Sequence, residues 1–343
     1  MRVVHGCFAL EEGIGLCWEG ELHMLLKIII LWRIVKLMPM KRFVFMAMAL
    51  LLVVTLGAQS VTMNGQDVQK RYEEAVNLLN TNIDGAKTFL EKWEKEDPGN
   101  PELYSLWFNY YYGKSMQSVI ELAPQPAPGA SGYAITDSTG RTVGYLQERT
   151  IFNDTLLSMA FNWLDRGIEA NPNRLDFYFG KASASLEANK DSLCVDIVCR
   201  AIERAEIVGA KWLWTFGECR DKEPDLLEQC VQSYFLSLYE KGNLDQAEML
   251  LQAAASKYPK NIVFVTNKGL MALHKGDLQL ALEKFLEAEK MDKKDHVVLM
   301  NIAYTYRELG DKDTARKYYR KVIKYCSPEI AADAKMLMEK LDE

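Results

Sequence analysis

Gly242-Asn243-Leu244-Asp245-Gln246-Ala247 is the stretch that decides the fold, because it recurs twice more along the chain. The later copies are Gly276-Asp277-Leu278-Gln279-Leu280-Ala281 and Gly310-Asp311-Lys312-Asp313-Thr314-Ala315, and successive glycines are 34 residues apart. A fixed period of this length is typical of arrays of helix–turn–helix units. The sequence therefore predicts three such units between Val231 and Pro328.

Each copy contains the residue types that a turn between two amphipathic helices requires. The glycine can adopt the left-handed conformation that ends the first helix, and the following Asp or Asn is suited to begin the second. The small Ala stands where the two helices approach most closely, and a bulky apolar residue follows four positions later, at Leu251, Phe285 and Tyr319. Because one unit cannot bury its apolar face alone, stacked units share a continuous core.

The three copies resemble the tetratricopeptide repeat family. That family has a large residue, an apolar–small pair and an aromatic on the first helix, then an Ala, an aromatic and a Pro on the second. The positions that carry the resemblance are Val231, Tyr234, Phe235, Leu238, Ala247, Leu251 and Pro259; Val265, Lys268, Gly269, Ala272, Ala281 and Phe285; and Leu299, Ile302, Ala303, Tyr306, Ala315 and Tyr319. Three details depart from the pattern: Phe235 is larger than usual, Lys293 replaces the usual Pro, and Pro328 is one place late.

The resemblance implies an all-α, right-handed solenoid of about six repeats. We expect N-terminal repeats in residues 59–224, three tandem repeats in 225–328 and a capping helix in 329–343. The upstream repeats keep the Ala–bulky–Pro spacing at Ala86 and Ala160 and the small residue at Cys194. The intervals between these small residues exceed the 34-residue period twice. They predict about forty extra residues between the two helices of the second repeat and about nineteen between the third and fourth repeats.

These two insertions differ in composition. The first, at 114–150, contains the Pro-rich run Ala123–Gly129 and two β-prone runs, Tyr133–Thr136 and Thr142–Leu146, which predict a β-hairpin. The hairpin is interpreted either as a loop folded onto the solenoid or as a partner-binding arm. The second insertion, at 207–224, holds Trp212, Trp214 and Phe216, which we expect to pack under the connection in preference to forming a ligand cage.

The N-terminal residues are predicted to direct export. In residues 40–58, Met40-Lys41-Arg42 precedes an uncharged apolar run that ends at Gly57 and Ala58, as in a secretory signal peptide. Residues 1–39 do not fit that pattern, and we interpret them as an upstream extension with translation beginning at Met40 or Met38. The alternative is an uncleaved membrane anchor formed by Met24–Leu56.

Charge and motif content exclude several classes of function. The chain has a net charge of −6, and residues 1–58 hold six of its 41 basic and four of its 47 acidic residues. The remainder is therefore more acidic and has no Lys/Arg block, which argues against a nucleic-acid partner. Only His274 and His296 follow residue 58, and no phosphate loop, dinucleotide fingerprint or metal-ligand spacing is present. We predict no catalysis, no cofactor, no metal and no small-molecule substrate, with membrane contact only through a retained N-terminal segment.

Five cysteines follow residue 58: Cys194, Cys199, Cys219, Cys230 and Cys326. An odd number cannot pair completely within one chain. A bridge between Cys219 and Cys230 is geometrically possible, but we expect most of the five to serve as small buried apolar residues.

The family resemblance implies that the first helix of each repeat lines a concave, partner-binding groove. The residues that correspond to this face are Gln232, Leu236, Tyr239, Thr266, Asn267, Leu270, His274, Met300, Asn301, Tyr304 and Arg307. Asn267 and Asn301 stand 34 residues apart and are suited either to bind the main chain of an extended peptide or to satisfy neighbouring helix ends. Leu270, Leu273, Val297 and Tyr304 favour an apolar partner.

We therefore expect a protein- or peptide-binding scaffold of the bacterial cell envelope, exported to the periplasm or beyond. The alternative is a structural subunit of an envelope complex that binds through its outer face and hairpin.

Overall fold

The computed structural model describes residues 63–125, 132–209 and 211–341, and in these ranges it contains 13 α-helices and three β-strands. The predictions for residues 1–39 and 40–58 lie outside the described residues. The chain divides into two compact units, whose described parts are residues 63–231 (the first unit) and 232–341 (the second unit). The boundary falls within the helix Leu226–Glu240.

The first unit begins with helices that pack in sequential pairs. They are α1 (Met63–Thr81), α2 (Ile83–Glu96), α3 (Pro101–Ser115), α4 (Asp154–Ala170), α5 (Leu175–Glu187) and α6 (Asp191–Val208). Helix α1 packs on α2, α3 on α4, and α5 on α6. The predicted insertion thus separates α3 from its partner α4 along the chain without separating them in space.

The insertion forms a three-stranded antiparallel sheet in the order β1-β3-β2, with strands β1 (Met116–Ala123), β2 (Gly132–Thr136) and β3 (Thr142–Phe152). The predicted hairpin of β2 and β3 is confirmed, and β1 adds a third strand to it. β1 continues directly from α3, and Val119 and Ile120 are the β-prone residues that indicate it. The stacked rings of Tyr112 and Phe152, with centroids 5.7 Å apart, join α3 to the base of the sheet.

The second unit contains the last seven helices, of which α7 enters it at Gln232. They are α7 (Leu226–Glu240), α8 (Leu244–Lys257), α9 (Ile262–His274), α10 (Leu278–Met291), α11 (His296–Glu308), α12 (Lys312–Tyr325) and α13 (Pro328–Glu339). From α9 to α13, each helix packs on the next. α13 supplies Ile330, Ala334 and Leu337 to the core of the last repeat, as a capping helix should.

The three turn glycines have the conformation that the sequence predicts. Gly242, Gly276 and Gly310 have φ values of 77°, 77° and 83°. After each glycine the next residue donates its N–H to a carbonyl of the preceding helix, as Asp277 does to Ala272 at 2.9 Å. The carboxylate of Asp277 then caps α10 by accepting from the N–H of Leu280 at 3.0 Å. Asn243 also stands at the N-cap of α8, as predicted, but it makes no side-chain cap hydrogen bond there.

Close packing between paired helices depends on the small residues of the repeat. Ala247, Ala281 and Ala315 are fully buried. In the middle repeat Gly269 lets the ring of Phe285 lie against the helix backbone, because a Cβ at this position would lie only 2.4 Å from its Cε1. The large Phe235 is also buried and stacks on Tyr239 at 5.9 Å.

Candidate functional site

The predicted groove residues lie on α7, α9 and α11, the first helices of the three repeats. His274 is exposed, while Gln232, Tyr239 and Arg307 are partly buried. The other seven are buried: Leu236, Thr266, Asn267, Leu270, Met300, Asn301 and Tyr304. A partner approaching this face would therefore meet His274, Tyr239, Gln232 and Arg307 first.

Contacts between these residues run in order across the three helices. The side-chain amides of Gln232 and Asn267 bond each other, which joins α7 to α9 near the middle of each helix. Near the C-terminal ends of these helices the rings of Tyr239 and His274 meet edge to face, with centroids 5.8 Å apart. Leu270 and Tyr304 belong to one apolar cluster and join α9 to α11. The predicted residues thus form a continuous surface, which we call the inner face.

Asn267 and Asn301 are equivalent in the repeat but have different surroundings. Asn267 donates its amide to Gln232 Oε1 and accepts from Gln232 Nε2 at 3.5 Å. Thr266 stands one repeat after Gln232, and its hydroxyl donates to the carbonyl of Ile262 at 2.8 Å. The Nδ2 of Asn301 has no hydrogen-bond partner among the described residues, although Asn301 is only 1% exposed.

Two tyrosine hydroxyls on the same face are also buried without a hydrogen-bond partner in the described part of the chain. They belong to Tyr239 on α7 and Tyr304 on α11. Burial raises the pKa of each phenol to about 12, so both hydroxyls keep their protons at neutral pH and can donate as well as accept. Arg307 lies over the ring of Tyr304, with its guanidinium carbon 4.7 Å from the centroid, and bonds Glu308.

The apolar residues of the predicted groove contribute mainly to the core. Leu270 and Tyr304 pack with Phe285 and Ile302, and Met300 packs with the core of the last repeat. The inner-face polar groups without a hydrogen-bond partner in the described residues are the Asn301 amide and the Tyr239 and Tyr304 hydroxyls. The exposed His274 and the partly buried Arg307 lie on the same face.

Sequence reasoning missed a buried ionic cluster in the first unit. Arg174 is 3% exposed and bonds both carboxylate oxygens of Glu102, at 2.8 and 3.1 Å, and both of Asp176, at 2.9 and 2.7 Å. The backbone N–H of Phe216 donates to Glu102 Oε1 at 2.9 Å. Burial raises the pKa of Glu102, and Arg174 opposes that shift by favouring the carboxylate. Nothing in the periodicity of this region distinguishes these charges from solvent-exposed ones.

The cluster fastens the predicted aromatic connection to the helices of the first unit. A single 3₁₀ turn, Thr215–Gly217, lies in this connection. The ring of Phe216 meets Tyr72 edge to face at 5.2 Å, and Trp214 does the same with Phe179 at 6.0 Å. The aromatic residues therefore pack, as expected. Beside them lies a cavity of about 480 Å³ whose wall includes Val68, Pro101, Pro172, Leu213 and Phe216.

Neither metal-binding nor membrane-spanning features are found in the described ranges. In those ranges no group of three or more His, Cys, Asp or Glu side chains is placed to hold a metal ion. No helix described there combines the length and apolarity needed to cross a bilayer. No disulfide joins the five cysteines of these ranges; Cys194 is buried and Cys219 is exposed.

Comparison with known families matches two models described as tetratricopeptide repeat, at residues 235–296 and 297–327. The matched segment includes all three glycine turns and ten of the eleven inner-face residues, the exception being Gln232. The resemblance inferred from the glycine period is thereby confirmed.

Two curated proteins are similar over part of the chain. Pre-mRNA-splicing factor 6 of Saccharomyces cerevisiae is 30% identical over 86 residues, which cover 25% of this chain and 10% of that protein. Stress-induced-phosphoprotein 1 of Caenorhabditis elegans is 30% identical over 182 residues, which cover 47% of this chain and 57% of that protein. This chain thus spans a tenth of the first relative and just over half of the second.

Among solved structures, the chain is similar to YrrB, described as a TPR protein with an unusual peptide-binding site. The match has a TM-score of 0.36 and 16% identity, and it covers 53% of this chain and 85% of YrrB. The crystal structure of MamA matches with a TM-score of 0.34 and 12% identity, covering 50% of this chain and 90% of MamA.

Proposed function

We propose that this chain, a protein of tetratricopeptide repeats at residues 235–327, is a non-enzymatic scaffold that binds an extended peptide segment of a partner protein on its inner face. Tetratricopeptide repeats bind protein or peptide partners. The observation that carries the proposal is that three inner-face atoms are buried without a hydrogen-bond partner in the described residues: Asn301 Nδ2, Tyr239 Oη and Tyr304 Oη.

Such atoms are unusual inside proteins. A buried donor left unpaired loses its bonds to water and costs about 1–3 kcal/mol, so most buried polar groups are bonded. One of the three lies on α7 in the first repeat and two lie on α11 in the third, and together they favour a ligand that supplies the missing bonds. An extended peptide offers carbonyl and N–H groups at short, regular intervals, which suits an amide donor and two hydroxyls that both donate and accept.

Charge at the border of the face adds specificity to this proposal. Arg307 and His274 flank the unpaired polar atoms, while the acidic Glu308 already bonds Arg307. We therefore propose a partner segment that is neutral or mildly acidic and that presents its main chain to Asn301.

The experiment selects ligands for the purified full-length chain from a phage-displayed library of linear peptides. The best binder, made synthetically with a fluorescent label, is then titrated with the wild type, with Tyr239→Phe and with Lys317→Ala. Tyr239→Phe removes one inner-face hydroxyl, and a single neutral hydrogen bond corresponds to about 3- to 10-fold in affinity. Lys317 lies exposed on the second helix of its repeat and is the matched control.

We expect weaker binding for Tyr239→Phe and unchanged binding for Lys317→Ala. Failure to select any peptide that competes for one site, or equal affinities for all three proteins, would contradict the proposal. Circular dichroism spectra confirm that the variants keep their helicity.

Export to the cell envelope is proposed as the location of this function. The support is the sequence Met40-Lys41-Arg42 followed by an uncharged apolar run to Gly57, the pattern of a signal peptide. The intact mass of the native protein from fractionated cells tests it. A mass that begins at or near Gln59, in the envelope fraction, supports export, whereas a mass retaining residues before Phe43 contradicts cleavage.

A further inference from the structure

The inserted sheet has one apolar face, which the repeat pattern does not explain. The strand register places Leu122, Leu146 and Tyr133 in one row across β1, β3 and β2, because each pairs directly with its neighbour. Ile120 and Ile135 lie two residues away on their own strands and so point to the same side. These five side chains form the apolar sheet face.

The apolar sheet face is exposed to an extent that is unusual for side chains of this type. Tyr133 is 81% exposed, Ile120 73% and Leu122 66%, and Ile135 and Leu146 are each more than a third exposed. Gly144 on the central strand lets Leu122 lie across it, since a Cβ there would be 3.1 Å from Leu122 Cδ1. The result is a flat apolar surface without a projecting ridge on the central strand.

The opposite face of the sheet is mixed and carries Glu121, Gln147 and Arg149 beside Val119, Val143 and Tyr145. Glu121 accepts hydrogen bonds from Gln147 at 2.9 Å and from Arg149 at 2.7 Å, which links β1 to β3. On the apolar side Glu148, the charged residue that pairs with Ile120, already accepts a bond from the hydroxyl of Ser118. Among the strand residues that the structure describes, the apolar sheet face thus has a single carboxylate at its margin and no cation.

We propose that the apolar sheet face is the interface through which a second copy of this chain binds, sheet against sheet. This goes beyond the proposed peptide-binding function and involves none of the inner-face residues. Two sheets stack about 10 Å apart with their apolar side chains interdigitated, as in a β-sandwich. A two-fold axis brings the same patch of both copies together, so the patch must complement itself.

The extent and charge of the face favour this occupant. Large apolar side chains bury about 150–250 Å² each, so five of them at these exposures offer on the order of 500 Å². A standard interface buries about 800 Å² per partner, and the flanking strand atoms can supply the difference. A neutral apolar patch can meet its own copy without repulsion, although the whole chain is acidic. A membrane surface is a poorer match, because peripheral membrane binding usually adds cationic side chains to the apolar face.

The test is sedimentation velocity of the full-length chain over a range of concentrations, for the wild type and three variants. Leu122→Glu places two carboxylates in the apposed faces, and Tyr133→Ser removes the most exposed side chain from an edge strand with little effect on folding. Ala134→Glu is the matched control, because Ala134 is exposed on β2 but pairs with Tyr145 on the opposite face.

We expect the wild type to be a dimer at about 50 μM. Leu122→Glu should raise the dimer dissociation constant at least about 100-fold. Tyr133→Ser should raise it less, and Ala134→Glu should leave it unchanged. A wild type that stays monomeric at about 100 μM overturns the proposal and assigns the face to a different protein. A dimer that Leu122→Glu and Tyr133→Ser leave intact overturns it as well. These outcomes do not depend on peptide binding, so the two proposals fail separately.

Discussion

At the residue scale, the sequence predicts backbone conformation better than side-chain partners. The glycines of the three turns could be assigned because only glycine adopts a positive φ without strain, and the structure confirms all three. Asn267 and Asn301 could not be distinguished, because they share one position in the repeat. They differ in the packed structure, where Gln232 on α7 bonds Asn267, while Thr266, one repeat later, bonds a carbonyl of its own helix.

The substitution Gly269→Ala tests how closely the paired helices α9 and α10 approach. Gly269→Ala puts a Cβ 2.4 to 2.8 Å from three ring carbons of Phe285, and overpacking of this kind destabilises by about 1–3 kcal/mol. The matched control is Gly180→Ala on α5, where the nearest atom would be Leu164 Cδ1 at an ordinary 3.4 Å. Because Ala favours helices, we expect a neutral or stabilising effect there.

Urea unfolding of both glycine variants measures the difference. If Gly269→Ala unfolds at the same urea concentration as the wild type, the ring of Phe285 does not lie against the backbone of α9.

The lowered pKa of Asp311 predicts the direction in which the stability of the fold changes with pH. Its carboxylate accepts the N–H of Thr314 at 3.0 Å, and the hydrogen bonds from Thr314 lower its pKa. The pKa of Asp311 is therefore lower in the folded state than in the unfolded state, where it is about 3.9. The ionised carboxylate stabilises the folded state fully at pH values above the unfolded pKa, and this stabilisation is lost as the pH falls through the folded pKa. Asn at this position also caps but does not titrate.

We therefore expect Asp311→Asn to lose less stability than the wild type below about pH 4. Urea midpoints measured at pH 7 and at pH 3 test this, and Asp311→Ala, which lacks a cap at both pH values, is the control. A gap between wild type and Asp311→Asn that is the same at both pH values contradicts the assignment.

At the element scale, helix positions follow the 34-residue period, and the two departures from it are where sequence reasoning was least complete. The period located the inserted sheet and the aromatic connection. It did not reveal β1, because Val119 and Ile120 directly follow a helix and suit either conformation. It did not reveal the ionic cluster either, because Glu102, Arg174 and Asp176 become buried only when distant segments meet.

The ionic cluster is predicted to stabilise the first unit strongly once formed. Arg174→Met leaves the carboxylates of Glu102 and Asp176 in the interior without their cation, and breaking a buried pair in this way costs about 3–5 kcal/mol. The control is Lys190→Met, since Lys190 pairs with Asp154 at the surface and exposed pairs contribute about 0–1 kcal/mol.

Chemical unfolding followed by tryptophan fluorescence reports on this cluster, because Trp212 and Trp214 lie in the connection that it fastens. Equal, small losses of stability in the two variants would show that the cluster does not hold the connection in place.

At the scale of the whole molecule, the sequence predicts the resemblance to tetratricopeptide repeats, and it predicts the function only as a class. The glycine period identifies tetratricopeptide repeats, which the family models confirm at residues 235–327. The sequence also selected the residues of the inner face, but it predicted an apolar groove, whereas Leu270 and Met300 are core residues. The unpaired polar atoms of this face are properties of the packed helices and could not be read from the chain.

The measurement that tests the account most directly is the affinity of the selected peptide for Asn301→Leu, determined by isothermal titration calorimetry with the full-length chain. Leu has a similar volume and no amide, so we expect at least about 10-fold weaker binding with an unfolding midpoint equal to or above that of the wild type. Asn267→Leu leaves the side-chain amide of Gln232 without its hydrogen-bond partner and should instead lower the unfolding midpoint. Unchanged peptide affinity in Asn301→Leu would contradict the claim that the inner face binds the peptide through this amide.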